Sequence, residues 1–435
     1  MQHHMTAAVL SVGDEITLGQ TLDTNSQWVA QRLSEAGIVP IVHLTVPDSL
    51  DAQRDAIVHI AAKVDLVIIT GGLGPTADDL TRHALAAAIG GGEVLVEDPV
   101  ALSQIEAMFV GRGREMPEIN RVQALRPGSG MSLPNLNGTA PGLFAKVKTG
   151  DHSCDVICLP GPPREMWAMF EAQVMPRLRP DPMRIVLTRA LHCFGIGESD
   201  LATRLGELMD RSRNPLVGTT ASGGVVSIRM RFEGQATADE AARAMHATEM
   251  AARAAAGVYV FGSGDEKLPA TLVRLLQERA QTVGTVESCT GGGLGEMITQ
   301  VSGSSLVFAG GFITYSNDMK TRLVGVPPEH FAAGGPGAVS RETAIAMAQG
   351  GLARVGCTHC LSITGIAGPA GGSKEKPVGT VWIARASGDG TVDSRRFAMG
   401  NDRANIREWS CKCALAMLRF KLIGVDAKLL RQTEA

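Results

Sequence analysis

Several features typical of specialised proteins are missing from this chain of 435 residues. Its formal net charge is −3, from 41 basic and 44 acidic side chains, so no basic surface for nucleic acid is expected. No apolar run is long enough to span a membrane, and the N-terminus does not read as a secretion signal. Solenoid-type repeats and low-complexity segments are also lacking. These absences favour a cytoplasmic enzyme built from ordinary folded domains.

The eight cysteines are expected to be reduced, as in most cytoplasmic proteins. The pairs Cys357/Cys360 and Cys411/Cys413 each have the spacing of half a zinc site. The alternative is that they are core residues. Cys360 begins a hydrophobic strand, and Cys413 shares a helical stripe with bulky apolar side chains, so the core interpretation is favoured.

The length predicts two or three domains, and the first 90 residues alternate between strand and helix patterns. Such alternation predicts a mostly parallel sheet whose ligands lie beyond the carboxyl ends of the strands. The short opening Met1–Met5 is given no function. The predicted strands are residues 7–12, 38–46 and 65–70, and the predicted helices are residues 25–36, 50–64 and 80–89.

Two groups of polar residues follow the first and third of these strands. Asp14 and Glu15 come after the first, and the glycine-rich loop Gly71–Asp79 comes after the third. Glycines and a threonine suit phosphate oxygens, and the adjacent carboxylates of Asp78 and Asp79 suit a divalent cation. The alternative for this pair is capping of the helix that follows. The pattern leaves both interpretations open.

The pattern changes near residue 178. A small α+β unit without reactive residues is predicted for 178–262, followed by a linker and a second α/β domain at 269–422. In that domain the strand Thr282–Val286 leads into Ser288 and Cys289, which are followed by three glycines and a helix. Backbone N–H groups at this corner, around Thr290–Gly292, are suited to binding an anion or a developing oxyanion.

Either Ser288 or Cys289 is a candidate nucleophile, and spacing does not choose between them. A serine needs a base, and neither histidine of this domain lies in a suitable context. Lys320 is a candidate base if burial lowers its pKa, and Tyr315 is placed to relay or orient the proton. The alternative for Lys320 is a solvated charge on a helix.

The motifs of the last domain resemble the nicotinamide mononucleotide deamidase domain of CinA proteins. These motifs are Val286–Gly292, Gly303–Ser305, Thr314–Asn317, Gly365–Pro369, Lys376–Val381, Gly400, Arg403 and Arg407. The resemblance implies hydrolysis of the carboxamide to nicotinic acid mononucleotide and ammonia without a cofactor, with Ser288 as nucleophile, Lys320 as base and Tyr315 assisting. The residues expected to bind this substrate or its phosphate are Thr290, Gly291, Gly292, Gly303, Ser304, Ser305, Thr364, Gly365, Arg403 and Arg407.

The first 175 residues resemble the molybdopterin-binding-type domain of the same family, and residues 178–262 resemble its KH-like connecting domain. The motifs on which this resemblance depends are Gly13–Glu15, Asp23–Ser26, Thr70–Thr76, Gly138–Gly142, Leu159–Met166 and Phe194–Glu198. The resemblance implies three domains (5–175, 178–262 and 269–422) and a homodimer. It also implies metal-dependent hydrolysis of ADP-ribose to AMP and ribose 5-phosphate, with Asp78 and Asp79 as metal ligands.

The expected nucleotide-binding residues of the N-terminal domain are Glu15, Asn25, Gly71, Gly72, Gly74, Thr76, Asn137, Gly138, Thr139 and Arg164. Glu15, or otherwise Glu165, is a candidate for orienting water, and Arg164 for binding phosphate. Two alternatives remain. The N-terminal domain binds a nucleotide or a molybdopterin without catalysis, or the whole chain is a scaffold for DNA-uptake machinery, against which the lack of basic patches argues.

Overall fold

The computed structural model describes residues 3–400 and 402–434, which form two compact units. One unit holds the described residues up to Thr188 together with Phe232–Arg243. The other holds Arg189–Arg231 and the described residues from Ala244 onwards. None of the helices in the described part of the chain is long and apolar enough to cross a membrane.

The first unit is organised around a six-stranded sheet in the order β2-β1-β3-β8-β7-β6. Pairings among β2, β1, β3 and β8 are parallel, whereas β7 and β6 are antiparallel to their neighbours. The predicted, mostly parallel sheet is therefore confirmed. The strands of this unit, including the separate pair β4–β5, are β1 Thr6–Val12, β2 Val39–Val46, β3 Leu66–Thr70, β4 Leu95–Glu97, β5 Leu125–Pro127, β6 Met131–Leu133, β7 Gly142–Thr149 and β8 His152–Leu159.

Helices cover both faces of this sheet, because side chains of its buried strands alternate between two apolar layers. On β1, Val9 packs in the layer that contains Leu33, while Leu10 packs in the layer that contains Ile57. The three predicted helices are confirmed within a few residues at their ends, whereas α5 was not predicted. The helices are α1 Asp14–Thr17, α2 Thr24–Glu35, α3 Leu50–Ala61, α4 Thr81–Ala88, α5 Pro99–Val110 and α6 Pro163–Met169.

The middle segment contains a four-stranded sheet in the order β10-β11-β9-β12, with antiparallel β10–β11 and β9–β12 pairs. Its α+β composition agrees with the KH-like expectation. The elements are β9 Arg184–Phe194, α7 Glu198–Leu205, β10 Leu216–Ser222, β11 Val225–Gln235, α8 Ala238–Ala256 and β12 Val260–Ser263.

The C-terminal part of the chain forms a mixed six-stranded sheet in the order β14-β13-β15-β16-β17-β18. Only the pairings of β13 with β14 and β15 are parallel. All eight cysteines are buried and free, which supports the core interpretation of both cysteine pairs. The elements are α9 Leu268–Glu278, β13 Val283–Glu287, α10 Gly293–Thr299, β14 Phe308–Ile313, α11 Asn317–Val324, α12 Arg341–Val355, β15 His359–Gly365, β16 Thr380–Ser387, β17 Val392–Ala398, α13 Arg403–Leu422 and β18 Gln432–Glu434.

A buried ion network joins the beginning of the first unit to β8. Asp155 is 2% exposed, and its carboxylate contacts Arg179 at 2.7 Å, Lys146 at 3.1 Å and His4 Nε2 at 3.3 Å. Burial alone raises the pKa of Asp155, but hydrogen bonds from His4, Arg179 and Lys146 outweigh it and hold this pKa well below its usual range. His4 itself is buried, so the opening segment has a structural role that the sequence did not indicate.

Replacing Asp155 by Asn is expected to lower the free energy of unfolding of the first unit by about 2 kcal/mol at pH 7, because the buried side chain loses its charge-assisted hydrogen bonds with His4 and Arg179. The native pKa is depressed, so the stabilisation is present above the unfolded pKa of about 3.9 and is lost as pH falls below it. Urea unfolding followed by hydrogen exchange of peptides covering β1, at pH 7 and pH 3, measures both effects. The exposed Asp151→Asn is the control, and equal stability of Asp155→Asn and Asp151→Asn would contradict the prediction.

Candidate active site

The nucleophile turn, Ser288–Gly292, lies at the carboxyl end of β13, between the ends of β14 and β15. The backbone N–H of Ser288 donates to Ile363 O of β15, and the Thr314 N–H donates to Glu287 O. Gly291 and Gly292 have φ values of 59° and 100°, a region that favours glycine, which is why the chain reverses here without strain. The turn holds the Ser288 side chain at the carboxyl edge of the sheet.

Lys320 reaches this edge from the first turn of α11, whose N-cap is Ser316. Its side chain is 1% exposed, and Nζ lies 3.1 Å from Ser288 Oγ. Nζ also donates to the carbonyl oxygens of Thr314 at 2.9 Å and Tyr315 at 3.4 Å. Burial lowers the pKa of the Lys320 ammonium, although Cys289 opposes this. The structure thus brings Lys320 and Ser288 together, and Lys320 is not a solvated helix charge.

Cys289 packs in the hydrophobic core that includes Leu294 and Ile363, and it is 6% exposed. Burial raises the pKa of the Cys289 thiol to about 12, so the thiol is protonated at neutral pH. A protonated, enclosed thiol is a poor nucleophile. The choice between the two neighbours, which spacing left open, therefore favours Ser288.

Tyr315 is placed differently from a proton relay. Its side chain is 61% exposed, and its hydroxyl accepts a hydrogen bond from Arg403 Nη2 at 3.1 Å, whereas only its backbone oxygen contacts Lys320. Arg403 also donates to Gly368 O at 2.8 Å. The pair Tyr315–Arg403 thus forms a polar rim beside the buried amine, with the guanidinium fixed at two points.

Of the other predicted residues of this site, some lie beside the nucleophile and others only support the packing of β15. Arg407 donates to Thr290 O at 2.8 Å, while Thr290 Oγ1 is buried and makes no hydrogen bond within the described part of the chain. Thr364 donates its hydroxyl to Ala338 O, and a Cβ on Gly365 would lie 2.7 Å from Val381. Thr290 therefore keeps an unused polar atom beside the nucleophile, whereas Thr364 and Gly365 are engaged in packing their own strand.

Gly303, Ser304 and Ser305 are not brought to Ser288 within the chain. They precede β14, and the first residue of β14, Phe308, pairs with Val283 at the amino end of β13. Ser288 follows the opposite end of β13. The triplet belongs to the motifs of the resemblance and was expected to bind the substrate phosphate, but the intervening helix α10 returns the chain to the other edge of the sheet.

The sequence missed the role of Glu287, which directly precedes the nucleophile. Glu287 is 1% exposed, and its carboxyl group accepts hydrogen bonds from the N–H groups of Gly292, Leu294 and Gly295, at 2.9 to 3.0 Å. The N–H of Gly291 in turn donates to Ser288 O. Most donors that the sequence offered to an anion are therefore satisfied internally. A sequence signal for this role exists, because Glu287 is an acidic residue that directly precedes a glycine-rich turn and a short helix.

The first unit has its own cavity of about 460 Å³ at the carboxyl ends of β1, β3 and β8. This is a switch point of the sheet, because β2 lies on one side of β1 and β3 on the other. Of the predicted residues, Thr76, Asn137, Gly138 and Arg164 are not part of its lining, and Arg164 is exposed. Those that line it are Glu15, Asn25, Gly71, Gly72, Gly74, Asp78, Asp79 and Thr139.

Asp79 shapes the glycine loop and does not cap the next helix. Its Oδ1 accepts from Gly74 N–H at 2.7 Å, and its Oδ2 accepts from the N–H and hydroxyl of Thr76. The buried Arg82 supports the same loop by donating to Leu73 O and Gly74 O. The N-cap position of α4 is Leu80, without a side-chain hydrogen bond. Capping of α4 is therefore wrong for Asp79, whose carboxylate instead closes the glycine loop.

The acidic lining of this cavity does not form a ready metal centre. Within the described residues, no three His, Cys, Asp or Glu side chains are arranged to hold an ion, and both carboxylate oxygens of Asp79 are occupied. Burial raises the pKa of Asp48, and the charges of Asp14, Glu15 and Asp78 raise it further against a hydrogen bond from Asp14. The lining of the cavity is thus negatively charged.

Together these features define a multidomain α/β protein with a serine–lysine pair at one sheet edge and an acidic, glycine-lined cavity at another. Three family models match the chain: a probable molybdopterin binding domain over residues 8–180, the damage-inducible protein CinA KH domain over 188–262, and the CinA C-terminal domain over 265–422. With the full-length relatives described next, these matches show that the chain belongs to the CinA family.

A putative competence-damage inducible protein of Symbiobacterium thermophilum is 41% identical over 97% of this chain and 99% of its own length. A CinA-like protein of Synechococcus sp. (strain CC9902) is 39% identical over 96% of this chain and 98% of its own. Among solved structures, the competence/damage inducible protein CihA from Agrobacterium tumefaciens is 39% identical, covers 36% of this chain and 97% of that one, and has a TM-score of 0.34.

The environment of Cys289 predicts that its thiol resists alkylation in the folded protein. With a pKa of about 12 and an enclosed side chain, it is expected not to react with iodoacetamide at pH 7.5 on the time scale on which all eight cysteines react after denaturation. Peptide mass spectrometry measures the labelling site by site. Rapid labelling of Cys289 in the native protein would show instead that the thiol is accessible and activated.

Proposed function

We propose that the chain hydrolyses the carboxamide of nicotinamide mononucleotide, with Ser288 as nucleophile and Lys320 as general base. The observation that carries the proposal is the 3.1 Å contact between Ser288 Oγ and the buried Lys320 Nζ. A nucleophilic hydroxyl needs a base within hydrogen-bond reach, and a lysine serves when burial lowers its pKa. The substrate class comes from the family resemblance, which the site residues are consistent with.

The surroundings of Lys320 favour its neutral form in a productive orientation. A neutral amine has two N–H groups and one lone pair. The carbonyl oxygens of Thr314 and Tyr315 only accept hydrogen bonds, so they take the two N–H groups. The lone pair is then left for the remaining neighbour, the Ser288 hydroxyl, which donates its proton. Two backbone carbonyls thus orient the base without a charged partner.

The reaction follows from this geometry. Ser288 Oγ attacks the carboxamide carbon while Lys320 takes its proton, and the carbonyl oxygen becomes an oxyanion. Lys320 returns the proton to the nitrogen as the C–N bond breaks, so ammonia leaves and an ester on Ser288 remains. Water, deprotonated by Lys320, then attacks the ester, and Lys320 returns this proton to Ser288 Oγ as the C–O bond breaks and nicotinic acid mononucleotide leaves. We assign the oxyanion to the Thr290 hydroxyl, which is buried beside the nucleophile and has no hydrogen-bond partner among the described residues.

The substrate phosphate is assigned to Arg403. Its guanidinium is anchored on Gly368 O and Tyr315 OH, and a planar fork of donors suits phosphate oxygens. Arg407 is less suited to this role, because it donates to Thr290 O inside the site. Gly303–Ser305 have no role in this proposal, because within one chain they lie at the opposite edge of the sheet from Ser288. The homodimer that the resemblance implies stays a prediction, for which light scattering is the direct test.

Ser288→Ala and Lys320→Met are each expected to lower ammonia release from nicotinamide mononucleotide at least about 10³-fold, because each removes half of the nucleophile–base pair. Lys320→Arg should be equally impaired, since it keeps a charge but supplies no base. A coupled ammonia assay measures all of them.

The control in this series is Cys289→Ala, which should retain activity. Loss of activity in Cys289→Ala with full activity in Ser288→Ala would reverse the assignment.

The lowered pKa of Lys320 predicts the pH dependence of this activity. Only the neutral amine accepts the serine proton, so kcat/KM should rise with pH and level off below the usual lysine pKa of about 10.4. A profile of kcat/KM from pH 5 to 10 gives the apparent pKa. A rate that keeps rising up to pH 10 would argue against a buried, pKa-shifted base.

As a second activity we propose that the first unit hydrolyses ADP-ribose, adding water across the diphosphate to give AMP and ribose 5-phosphate. The specific observation is the cavity at the switch point, which is lined by Gly71, Gly72 and Gly74, so that a phosphate group can approach the backbone closely. Its negative lining has no basic side chain within the described cavity, so an anionic ligand needs help against repulsion. A divalent cation requirement therefore stays a prediction.

Gly74→Ala should impair ADP-ribose hydrolysis about tenfold or more while leaving ammonia release from nicotinamide mononucleotide unchanged. A Cβ at Gly74 would lie 2.3 Å from Asp79 Oδ2, so the loop must shift, whereas Gly128→Ala makes only ordinary contacts and is the matched control. AMP is measured with and without Mg²⁺ or Mn²⁺. If wild type binds ADP-ribose in calorimetry and never releases AMP, the unit is a binding module.

A further inference from the structure

Glu287 holds the nucleophile turn from inside. It is the last residue of β13, and its side chain points under the turn that it precedes. Oε2 accepts hydrogen bonds from the N–H groups of Gly292 and Leu294, both at 3.0 Å, and Oε1 accepts from Gly295 at 2.9 Å. Three donors onto one side chain are best satisfied by an ionised carboxylate, which only accepts. A buried charge of this kind is tolerated because its hydrogen bonds replace water.

The backbone of the same residue fixes the base. Glu287 O accepts the Thr314 N–H at 2.7 Å, and Thr314 O accepts Lys320 Nζ at 2.9 Å. Through its side chain Glu287 therefore sets the turn that carries Ser288, and through its main chain it sets the carbonyl that orients Lys320. A single residue connects both partners of the 3.1 Å contact.

This arrangement excludes the start of α10 as a place for the substrate phosphate. The helix has only seven residues, and its first N–H groups already bind the Glu287 carboxyl group. A second anion there would meet a like charge at close range in a buried environment, which is strongly unfavourable. The phosphate must therefore be held elsewhere, in agreement with its assignment to Arg403.

We propose that Glu287 is a positioning residue of the deamidase reaction: its carboxylate fixes the Ser288–Gly292 turn so that Ser288 Oγ meets Lys320 Nζ. The proposal rests on the proposed function of the site. It does not place Glu287 in contact with substrate. We call the three hydrogen bonds from Gly292, Leu294 and Gly295 to the Glu287 carboxylate the clamp. Loss of the clamp should therefore affect the chemical step more than substrate binding.

The main test compares Glu287→Gln with Glu296→Gln in the full chain. The amide introduced by Glu287→Gln would present N–H groups to backbone N–H donors, so the turn is expected to move and kcat for nicotinamide mononucleotide to fall about 10²-fold with little change in KM. Glu296 is an exposed acidic residue of α10, the helix that follows the turn. Its variant also removes one negative charge and should behave as wild type. Wild-type kcat in Glu287→Gln, or a raised KM with unchanged kcat, would overturn the proposal.

A second variant covers the case in which Glu287→Gln does not fold. Gly292→Ala strains the backbone of the turn itself, because Gly292 has a φ of 100° and a Cβ there would lie 3.2 Å from Ile313. It keeps the carboxylate and should show the same selective loss of kcat. An unchanged kcat in folded Gly292→Ala would contradict the dependence of the reaction on this turn.

Hydrogen exchange separates failure of this proposal from failure of the proposed function. In the clamp, the amides of Gly292, Leu294 and Gly295 are protected by Glu287, and they should exchange faster in folded Glu287→Gln than in wild type or Glu296→Gln. This readout needs no substrate. Equal exchange rates would overturn the clamp itself, whereas wild-type protein without ammonia release would overturn the deamidase function and leave the exchange result intact.

Discussion

The contact on which the C-terminal site depends is the one between a buried amine and a serine hydroxyl. Lys320 is almost fully enclosed, and its amine forms hydrogen bonds with two backbone carbonyls and Ser288. Placing a lysine there costs solvation free energy unless the amine is neutral or well hydrogen-bonded. The fold meets this cost with Thr314 and Tyr315, the two residues that follow β14, which supply both carbonyls just before the N-cap of α11. The same burial that threatens stability shifts the pKa in the direction that a base requires.

The glycine turn is the second half of this arrangement. Its positive φ values let the chain reverse tightly enough for the Glu287 side chain to reach back beneath it. With bulkier residues the turn would widen, and the first N–H groups of α10 would face solvent or ligand. The glycine-rich motif, which in the sequence suggests a site for a bound anion, therefore binds the carboxylate of Glu287 from the same chain. Its function in the structure is to fix the serine, which is a more specific requirement than a general attraction for negative charge.

Sequence patterns predicted the regular elements well because these elements depend on local periodicity. The strand–helix alternation of the first unit, the core position of Cys413 and the corner at Ser288 all follow from residue spacing. The failures concern long-range placement. Gly303–Ser305 are close to the turn in sequence, but helix α10 carries them to the opposite edge of the sheet. The sequence offers Asp79 as a metal ligand or a cap but misses its bonds to Gly74 and Thr76, because these depend on loop closure that no local pattern encodes. His4 was dismissed for the same reason, since its partner Asp155 is 151 residues away.

The two sheets place their sites by the same topological rule although their chemistry differs. In each, the first strand is central, the second lies on one side of it and the third on the other: β2-β1-β3 in the first unit and β14-β13-β15 in the second. In the first unit the loops after the first and third strands line a cavity at the carboxyl ends of these strands. This cavity is lined by carboxylates, which disfavours a bare anion. In the second unit Ser288 follows the first strand and Lys320 follows the second, so a hydroxyl and an amine meet at the carboxyl edge, which suits attack on a neutral amide. The difference in chemistry thus arises from the few residues that follow the strands, while the strands themselves only determine where those residues meet.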